Sequence, residues 1–522
     1  MEKKWWTLTV VCAATFMLLL DVTIVVVALP EIQRGLHTTF ADVQWVIDAY
    51  ALTLASLLLT SGSLADRFGR KLLFVIGLCV FTVGSLTCGL AQSPLMLIVS
   101  RAAQGVGGAI LFATSLALLA QTFQGRERGI AFGIWGAITG VAVALGPILG
   151  GLITSGINWR GIFLVNIPVG AVAIAITLRT VTESRSPSPT RPDWPGFLSL
   201  TAGLVSLVYG LIHASETAWS NTTVVTCLCL GGVLLASFLL IESRVAKPMF
   251  DLSLLRTPTF AGGSIAAFCM NGSLYAMLVY FVLFLQYDLG YSALKTGLML
   301  LVMSGTTLVA ATISGRLSSQ VPVRWLIGPG LFLVGIGLIA MTGLNGSSGW
   351  THLIPGFILG GLGGGLVNPP LASTAVGVVV PQRAGMASGV NTTFRQIGIA
   401  VGIAAYGSIF TASLQNNLGH RLASLPGFAG QASKVASAVK QGTVGQMIGS
   451  LHGQAQGELI KAVRSAFAGS LNDLVVVSGI LAVVGSIGAL SLIRSKDFVS
   501  SQPPAEQGAS PVPAEPTMVA GH

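Results

Sequence analysis

Charged residues are scarce in this 522-residue chain: Asp, Glu, Lys and Arg make up 9% of it, while 52% of the residues are hydrophobic. An average soluble domain is about 25% charged. So few charges cannot cover several soluble cores with polar surface, which excludes a soluble multidomain enzyme. The mean hydropathy of +0.79 instead indicates a chain that crosses a membrane many times.

Several chemical motifs are also absent. There is no Gly-Lys-Ser/Thr phosphate loop, so the chain cannot be an ATP-driven pump by itself. There is neither a Gly-x-Ser-x-Gly elbow nor a His-Glu-x-x-His motif, and the six histidines are scattered, so a membrane enzyme is not indicated. The six cysteines lie in apolar runs without metal-ligand spacing and are expected to be packing residues. We therefore expect no catalytic residue, no metal and no cofactor.

Apolar runs of about 20 residues, the length that crosses a bilayer as a helix, recur along the chain. We count fourteen, which predicts an all-α polytopic membrane protein with 14 transmembrane helices. The runs lie at residues 7–29, 44–64, 72–91, 95–121, 129–154, 161–179, 195–213, 222–241, 259–285, 294–315, 325–344, 351–379, 386–412 and 472–493.

The 28 Lys and Arg residues are distributed unevenly between alternate connections of these runs. If the N-terminus is cytoplasmic, eighteen lie in cytoplasmic segments, three in short outer loops and five in a long outer loop at 413–471. Cytoplasmic loops of membrane proteins carry the excess of Lys and Arg. Both termini are therefore predicted to be cytoplasmic, and topology explains the net charge of +10 better than nucleic-acid binding does.

Short patterns repeat at an offset of about half the chain. The Gly-x-Ala-x-Gly pattern of 129–133 recurs at 385–389, and a Gly-containing turn at 62–67 has a counterpart at 315–317. This favours two halves of six spans each, with spans seven and eight inserted between them. The predicted divisions are a first six-helix bundle at 1–180, a linker with the two additional helices at 181–250, a second six-helix bundle at 251–497 that includes the extracellular loop 413–471, and a disordered cytoplasmic tail at 498–522.

Four charged residues lie well inside the predicted spans: Asp21, Asp48, Arg101 and Arg395. Charge in the hydrocarbon region is costly, so each is a functional candidate. A rise of about 1.5 Å per residue places Asp21, Asp48 and Arg101 at similar depth in the outer half of the membrane. The alternatives are structural hydrogen bonding for Asp21, solvation for Asp48, a structural ion pair for Arg101 and pairing with carbonyls for Arg395.

Five motifs follow one another along residues 1–412. They are Leu20-Asp21-x-Thr23, Gly62-Ser-Leu-Ala-Asp66-Arg67-Phe-Gly69-Arg70-Lys71, Arg101-x2-Gln104-Gly105-x-Gly107-Gly108, Gly146-Pro147-x2-Gly150-Gly151 and Asn158-Trp159-Arg160-x2-Phe163-x2-Asn166. With these motifs the chain resembles the major facilitator superfamily (MFS), in particular its fourteen-span drug–proton antiporter family of the EmrB/QacA type. The sequence departs from the family pattern at Ala142, at Val26 and around Arg316, which has no accompanying acid to match Asp66.

The resemblance implies an exporter that exchanges protons for amphipathic, often cationic compounds by alternating access between its halves. It also implies that spans one, two and four adjoin, so Arg101 can pair with Asp21 or with Asp48. A carboxyl whose neighbours change with conformation can take up a proton on one side and release it on the other. We therefore predict that Asp21, Asp48 and Arg101 couple transport to protons.

The loop after span two is predicted to act as a gate, through Gly62, Asp66, Arg67, Gly69, Arg70 and Lys71. The resemblance places Asp66 near the start of the span at 386–412, where a carboxylate favours the positive end of the helix dipole. The cations Arg67, Arg70 and Lys71 are expected to pair with cytoplasmic acids such as Glu127. The alternative is that these cations only fix the topology.

In span five, Gly146, Gly150 and Gly151 are predicted to let a neighbouring helix approach closely, while Pro147 bends the helix. The resemblance makes these four residues the antiporter motif, in which a bent helix with a small face between the halves suits a gate. The alternative, a tight packing seam without a gating role, predicts the same sequence. Five residues of the second half are predicted to line a substrate cavity: Arg395, Asn271, Tyr275, Asn368 and Phe394.

The expected partners are small amphipathic molecules, protons and the lipid bilayer, with no nucleic acid, and the chain is expected to be a monomer. Arg outnumbers Lys 19 to 9, which favours a GC-rich bacterial genome and hence a bacterial plasma membrane. The rival function is a dedicated exporter of a peptide, a lipid, a siderophore or a self-made antibiotic. The sequence motifs favour export but do not distinguish these cargoes.

Overall fold

The structure is a computed structural model that describes residues 2–123, 125–185, 193–217, 219–245, 248, 250–318, 320–379, 384–423, 430–440, 447 and 454–498. All regular structure in this part of the chain is helical. The tail predicted at 498–522 lies outside these residues, apart from Phe498.

The first six helices are joined by short connections. They are α1 Lys3–Leu36, α2 Phe40–Phe68, α3 Arg70–Gly89, α4 Pro94–Thr122, α5 Gly125–Gly156 and α6 Gly161–Thr180, the last interrupted at Val165.

The remaining helices follow the segment 181–193. They are α7 Trp194–Glu216, α8 Thr222–Arg244, α9 Pro258–Asp288, α10 Ala293–Leu317, α11 Arg324–Ile339, α12 Ile354–Gly377, α13 Ala384–Ala423, the short α14 Ala432–Lys440, and α15 Gln454–Leu492.

Local sequence explains several helix starts. At α2, the Thr39 hydroxyl accepts the Asp42 backbone N–H and the Asp42 carboxylate accepts the Thr39 N–H, which is a complete capping box. The Ser93 hydroxyl accepts the Met96 N–H at the start of α4. These side chains satisfy backbone donors that have no partner within the helix.

Eleven helices of the described residues are long and apolar enough to cross a membrane, and α11 is apolar but shorter. Each of the fourteen apolar runs in the sequence overlaps one of the long helices α1–α13 and α15. The hydropathy pattern therefore predicted where the helices lie.

Each end of the helical bundle is marked by a different contact between helices. At one end, here named the N-terminal face, Lys4 of α1 bonds to Glu127 at the start of α5. At the opposite end, here named the far face, the Trp159 ring lies against Gly35 near the end of α1. Helix α1 therefore runs alongside α5 from face to face.

Helices α1–α6 pack mainly on one another, and so do α9–α13 with α15. The first group packs on the second mainly through two helices, since α5 lies along α10 and α2 lies along α13, and α1 also touches α9. Helices α7 and α8 pack on each other, and α7 touches both α2 and α13. Through α7, the pair α7–α8 thus contacts both groups of helices.

The segment 413–471, predicted as a long loop, is helical over much of its described part. Helix α13 continues to Ala423, and α15 already begins at Gln454. Leu414, Leu418 and Leu422 recur every four residues and are fully buried in the core, so one face of the α13 extension is apolar. The loop prediction missed this short-range periodicity.

Helix α9 contains two π-helical turns, at Asn271–Tyr275 and at Phe284–Asp288. Such turns insert an extra residue into an α-helix and occur often at functional sites. The first turn lies where α9 meets the backbone of α13: a Cβ on Gly398 would lie 2.5 Å from the Phe268 carbonyl, and one on Gly402 would lie 2.7 Å from the Gly272 carbonyl.

The α5–α10 contact yields a stability prediction. A Cβ on Gly297 of α10 would collide with the Pro147 carbonyl of α5, whereas a Cβ on Gly305 of the same helix meets nothing within 4 Å. We expect Gly297→Ala to cost about 1–3 kcal/mol through overpacking. Gly305→Ala should be neutral or stabilising by up to about 1 kcal/mol, because alanine favours helix. Thermal unfolding of the two purified variants in detergent tests this, and equal midpoints would contradict it.

Candidate functional site

A fully buried ion pair lies inside the first six helices. The Arg101 guanidinium of α4 donates from Nη1 to Asp21 Oδ2 of α1 and, at 2.7 Å, to Gln104 Oε1. Asp21 is 0% exposed and Arg101 is 1% exposed. A hydrogen-bonded charge pair of this kind offsets the large cost of removing both ions from water.

The other Asp21 oxygen is also satisfied. Oδ1 accepts Gln104 Nε2 at 2.9 Å and Asn166 Nδ2 at 3.2 Å. Both amides also donate to the Ser85 hydroxyl, which in turn donates to the Phe163 carbonyl at 2.8 Å. The sequence analysis gave these side chains no role, although Gln104 and Asn166 lie within two of its motifs.

The rest of the Arg101 side chain is enclosed by α2. Nε donates to the Val46 carbonyl at 3.0 Å, and the guanidinium carbon lies 4.3 Å from the centre of the Tyr50 ring. Close approach of α4 to α2 makes this possible, since a Cβ on Gly105 would lie 2.6 Å from the Tyr50 carbonyl. Arg101 therefore points into packed protein and not into lipid.

Asp48 of α2 has a different environment. It is 0% exposed, and among the described residues neither carboxylate oxygen has a hydrogen-bond partner. Asp48 is therefore not solvated, which differs from one sequence-based alternative. Of the two acids that Arg101 was predicted to reach, it pairs with Asp21. The electrostatic neighbours of Asp48 include Tyr280 of α9, so this carboxyl faces the second group of helices.

One turn before Asp48, Gln44 bonds across to the second group. Its Nε2 donates to the Ile403 carbonyl of α13 at 2.9 Å and to the Tyr280 hydroxyl at 3.3 Å. The Tyr280 hydroxyl donates to the same carbonyl at 2.8 Å. The unpaired carboxyl therefore lies beside a polar junction between the two groups of helices.

Beyond this junction, towards the far face, aromatic rings close the space between the groups. Phe40 at the start of α2 packs on Tyr280 and Phe410, with ring centres 6.1 and 6.2 Å apart, and Phe410 packs on Phe467 at 4.9 Å. The Tyr287 hydroxyl of α9 donates to Gln33 Oε1 of α1 at 2.6 Å. We name Phe40, Gln44, Tyr280, Phe410 and Phe467 the far-face seal. Its contacts between α2 and the second group join residues more than 200 positions apart, which no local pattern in the sequence indicates.

The predicted gating loop is anchored by an acid that the sequence analysis did not single out. Glu183, which follows α6, accepts the backbone N–H groups of Lys71 and Leu72 at 3.1 Å each, and so caps α3. Gly69 has φ of +121°, and a Cβ there would lie 2.6 Å from the Glu183 carboxylate. Only glycine combines this backbone conformation with this approach.

Among the loop cations, Arg70 donates to Gln121 at 3.2 Å and the Lys71 ammonium donates to the Leu178 carbonyl at 3.0 Å. Arg67 stacks on the neighbouring Phe68 ring. The expectation that these cations pair with Glu127 is wrong: Glu127 binds Lys4 at 2.8 Å, because α5 begins beside α1.

Two other loop residues have no described packing role. A Cβ on Gly62 would meet nothing within 4 Å. The side chain of Asp66, predicted to lie near the start of the span at 386–412, falls outside the described residues.

The glycines of α5 do mark close approaches. A Cβ on Gly146 would collide with Thr23 of α1, and one on Gly150 would lie 2.8 Å from the Ile24 carbonyl. On the opposite side, a Cβ on Gly151 would lie 2.5 Å from the Ala293 carbonyl at the start of α10. Helix α5, including Pro147, is therefore held between α1 and α10.

The residues predicted to line a cavity divide into two sets. Arg395 Nη1 donates to Asn368 Oδ1 at 2.9 Å, and Asn368 Nδ2 donates to the Tyr275 hydroxyl at 3.1 Å, which brings these three together. Asn271 instead bonds to the Ala267 carbonyl of its own helix at 2.8 Å. Phe394 packs against the Phe250 ring, with centres 6.4 Å apart.

The Asp21–Arg101 pair allows a double-mutant test of stability. Arg101→Gln should cost about 3–5 kcal/mol, because it leaves a buried carboxylate without its cation. Asp21→Asn combined with Arg101→Gln removes both charges and should be more stable than Arg101→Gln alone. Thermal unfolding of the two single variants, Asp21→Asn and Arg101→Gln, and of the double variant measures the coupling. Strictly additive losses would show that the two charges do not interact.

Comparison with known proteins agrees with this arrangement. A family model described as "Major Facilitator Superfamily" matches residues 11–403. The multidrug resistance protein Stp of Mycobacterium tuberculosis (strain CDC 1551 / Oshkosh) is 37% identical over 405 residues, covering 77% of this chain and 75% of that protein. The tetracenomycin C resistance and export protein of Streptomyces glaucescens is 32% identical over 516 residues, covering 98% of this chain and 95% of that protein.

Among solved structures, a bacterial homologue of the human lysosomal transporter Spinster, in an inward-facing and occupied conformation, superposes with a TM-score of 0.65. It covers 95% of this chain and 98% of its own, at 18% sequence identity, which supports the fold alone. The family match covers most of the chain, and the helical packing has the same architecture. The chain belongs to the Major Facilitator Superfamily.

Proposed function

We propose that this protein is a proton-coupled exporter of amphipathic, often cationic small molecules in a bacterial plasma membrane. The observation that carries the proposal is the contrast between two fully buried carboxyls of the first half. Asp21 is paired on both oxygens, whereas Asp48 has no partner among the described residues. The resistance and export roles in the names of the two relatives support the direction of transport.

The proposal includes a topology of fourteen spans. We infer that α2, α5 and α11 cross the membrane in addition to the eleven apolar helices, so that α1–α6 and α9–α13 with α15 form two six-helix halves around the inserted pair α7–α8. The halves then correspond to residues 1–180 and 251–497, with 181–250 between them. The excess of Lys and Arg at the N-terminal face supports a cytoplasmic location for that face and for both termini.

In this orientation the far face is external, and the far-face seal closes the outward path. Release of cargo outside requires the two halves to separate there, which breaks the Phe40 contacts with Tyr280 and Phe410. Helix α5 stays close to α10 through Gly151 and Gly297. The α5–α10 interface can therefore act as the axis about which the halves rotate. Alternating access of this kind is the general scheme for transporters built from two repeats.

Asp48 is the residue that we propose carries the proton. A buried carboxyl without a partner is favoured in its neutral form, because burial of an unpaired charge is expensive. When the halves separate at the far face, Asp48 loses the cover of Tyr280 and gains access to water. Proton uptake from outside then favours return to the closed arrangement. Asp21 and Arg101 hold the surrounding helices in register.

The names of the two relatives suggest two different ranges of cargo for this protein. A multidrug pump would accept many amphipathic compounds, as the name of the mycobacterial relative suggests. The relative that covers almost the whole chain is named for resistance to and export of one antibiotic, which supports the alternative of a dedicated exporter of a self-made metabolite. We propose the first function and keep the second as its rival.

Transport in reconstituted vesicles tests the coupling. Asp48→Asn should reduce proton-driven extrusion of a cationic dye at least about tenfold, because the amide cannot exchange a proton. Asp48→Glu should retain part of the activity. Glu31→Gln serves as the control. It also removes one negative charge, but from a partly exposed side chain that pairs with Arg34.

The measurement is the initial rate of dye movement with an imposed proton gradient and after its collapse. Extrusion by the unmodified protein that persists without the gradient would contradict proton coupling. An Asp48→Asn variant with unaltered rate and pH dependence would instead contradict the assignment of Asp48.

A further inference from the structure

The second half contains a partly buried cation that no described acid neutralises. Arg395 lies in the membrane-embedded part of α13, in contact with Asn391 of the same helix and Asn368 of α12. Within the described residues, no carboxylate comes within ion-pair distance of its guanidinium. This differs from Arg101, the other intramembrane arginine, whose charge is matched by Asp21.

A count of donors and acceptors shows an excess of donors around Arg395. Nε donates to Asn391 Oδ1 at 3.1 Å and Nη1 donates to Asn368 Oδ1 at 2.9 Å, whereas Nη2 has no acceptor among the described residues. The Tyr275 hydroxyl accepts a hydrogen bond from Asn368 Nδ2, and its own proton likewise has no described acceptor. The cluster therefore presents one positive charge. It also presents two donor groups, Arg395 Nη2 and the Tyr275 hydroxyl, whose hydrogens no described residue accepts.

The cluster is also held in place by its backbone. Arg395 lies one turn before Gly398, where a Cβ would lie 2.5 Å from the Phe268 carbonyl of α9. Tyr275 is the last residue of the π-helical turn that begins at Asn271. Asn368 is fixed by a second bond, from Nδ2 to the Gly364 carbonyl at 3.1 Å. A binding group supported by close-packed helices keeps its geometry without a ligand.

Retaining an unneutralised guanidinium inside a membrane is costly unless it has an anionic or strongly accepting partner. Its planar fork of N–H groups matches the two oxygens of a carboxylate, or one oxygen of a phenolate together with a neighbouring carbonyl. We propose that Arg395 and Tyr275 bind an acidic oxygen of the exported molecule, so that the cargo includes carboxylic acids or acidic phenols. This inference rests on the proposed export function and specifies its substrate class.

The inference is compatible with a cationic group elsewhere on the cargo. Asp48 lies in the first half, beside Tyr280, and Arg395 lies in the second half, beside Tyr275. A molecule that carries both an acidic oxygen and a basic nitrogen would have a complementary group in each half. A purely cationic cargo would leave Arg395 without a partner.

A matched pair of probes tests the proposal: dansyl-phenylalanine, which has a free carboxylate, and its methyl ester, in which one added methyl group removes that charge. The ratio of acid to ester transport is measured in vesicles with an imposed proton gradient. Arg395→Gln should lower this ratio at least about tenfold, as expected for loss of one charge-assisted contact. Arg395→Lys should lower it less, and Tyr275→Phe should lower it by about threefold.

The control is Arg179→Gln, which removes a positive charge from an exposed position at the end of α6. Equal losses of acid and ester transport in Arg395→Gln, with an unchanged ratio, would overturn the proposal and assign Arg395 a structural role. Should Arg395→Gln fold poorly, the ratio for Tyr275→Phe decides in the same way.

Binding to the purified protein separates failure of this inference from failure of the proposed function. The acid should raise the thermal unfolding midpoint of the unmodified protein more than the ester does, and this difference should disappear in Arg395→Gln. A selective shift without proton-driven transport would contradict the exporter and keep the acid site. Transport of both probes without any selective shift or change in ratio would contradict the acid site and keep the exporter.

Discussion

The cost of placing charge in a low-dielectric interior is the constraint on which the rest of this structure depends. Only four charged residues lie deep within the predicted spans, and the structure treats them in different ways. Asp21 and Arg101 neutralise each other within a network that satisfies every carboxylate oxygen of Asp21. Asp48 and Arg395 have no charged partner among the described residues. The paired charges join α1 to α4, and we propose that the two others act in transport.

Close backbone contact between helices is the second feature that positions these charges. Gly105 brings α4 to the Tyr50 backbone, so Arg101 is enclosed by α2. Gly398 and Gly402 bring α13 to the π-helical turn of α9, so Arg395 and Tyr275 become neighbours. Small residues allow this approach in membranes, where apolar surface alone gives little driving force for association. The same glycines therefore determine both the packing and the geometry of the polar clusters.

Much of the helical layout could be predicted from sequence, because hydropathy over about 20 residues directly reports membrane burial. The family followed from local motifs, and the four charges followed from their positions within the apolar runs. The partners of those charges did not. Whether Arg101 meets Asp21 or Asp48 depends on the rotation of three helices about their axes, and the isolation of Asp48 depends on which part of α9 lies opposite α2. Glu183 caps α3 from more than 100 residues away, and the π-helical turns of α9 leave no periodic trace in the sequence.

The position of Asp48 connects proton binding to the far-face seal. Gln44 lies one turn away on the same helix and bonds across to Tyr280 and Ile403, while Tyr280 is also a neighbour of Asp48. Separation of the halves at this junction would break the Gln44 bonds and uncover Asp48 in the same movement, because both side chains lie on one helix, one turn apart, and both interact with Tyr280. An ionised Asp48 would then oppose closure, since burial would leave its charge unpaired. Protonation removes that opposition, so the proposed coupling follows from shared geometry and requires no separate relay between the proton site and the seal.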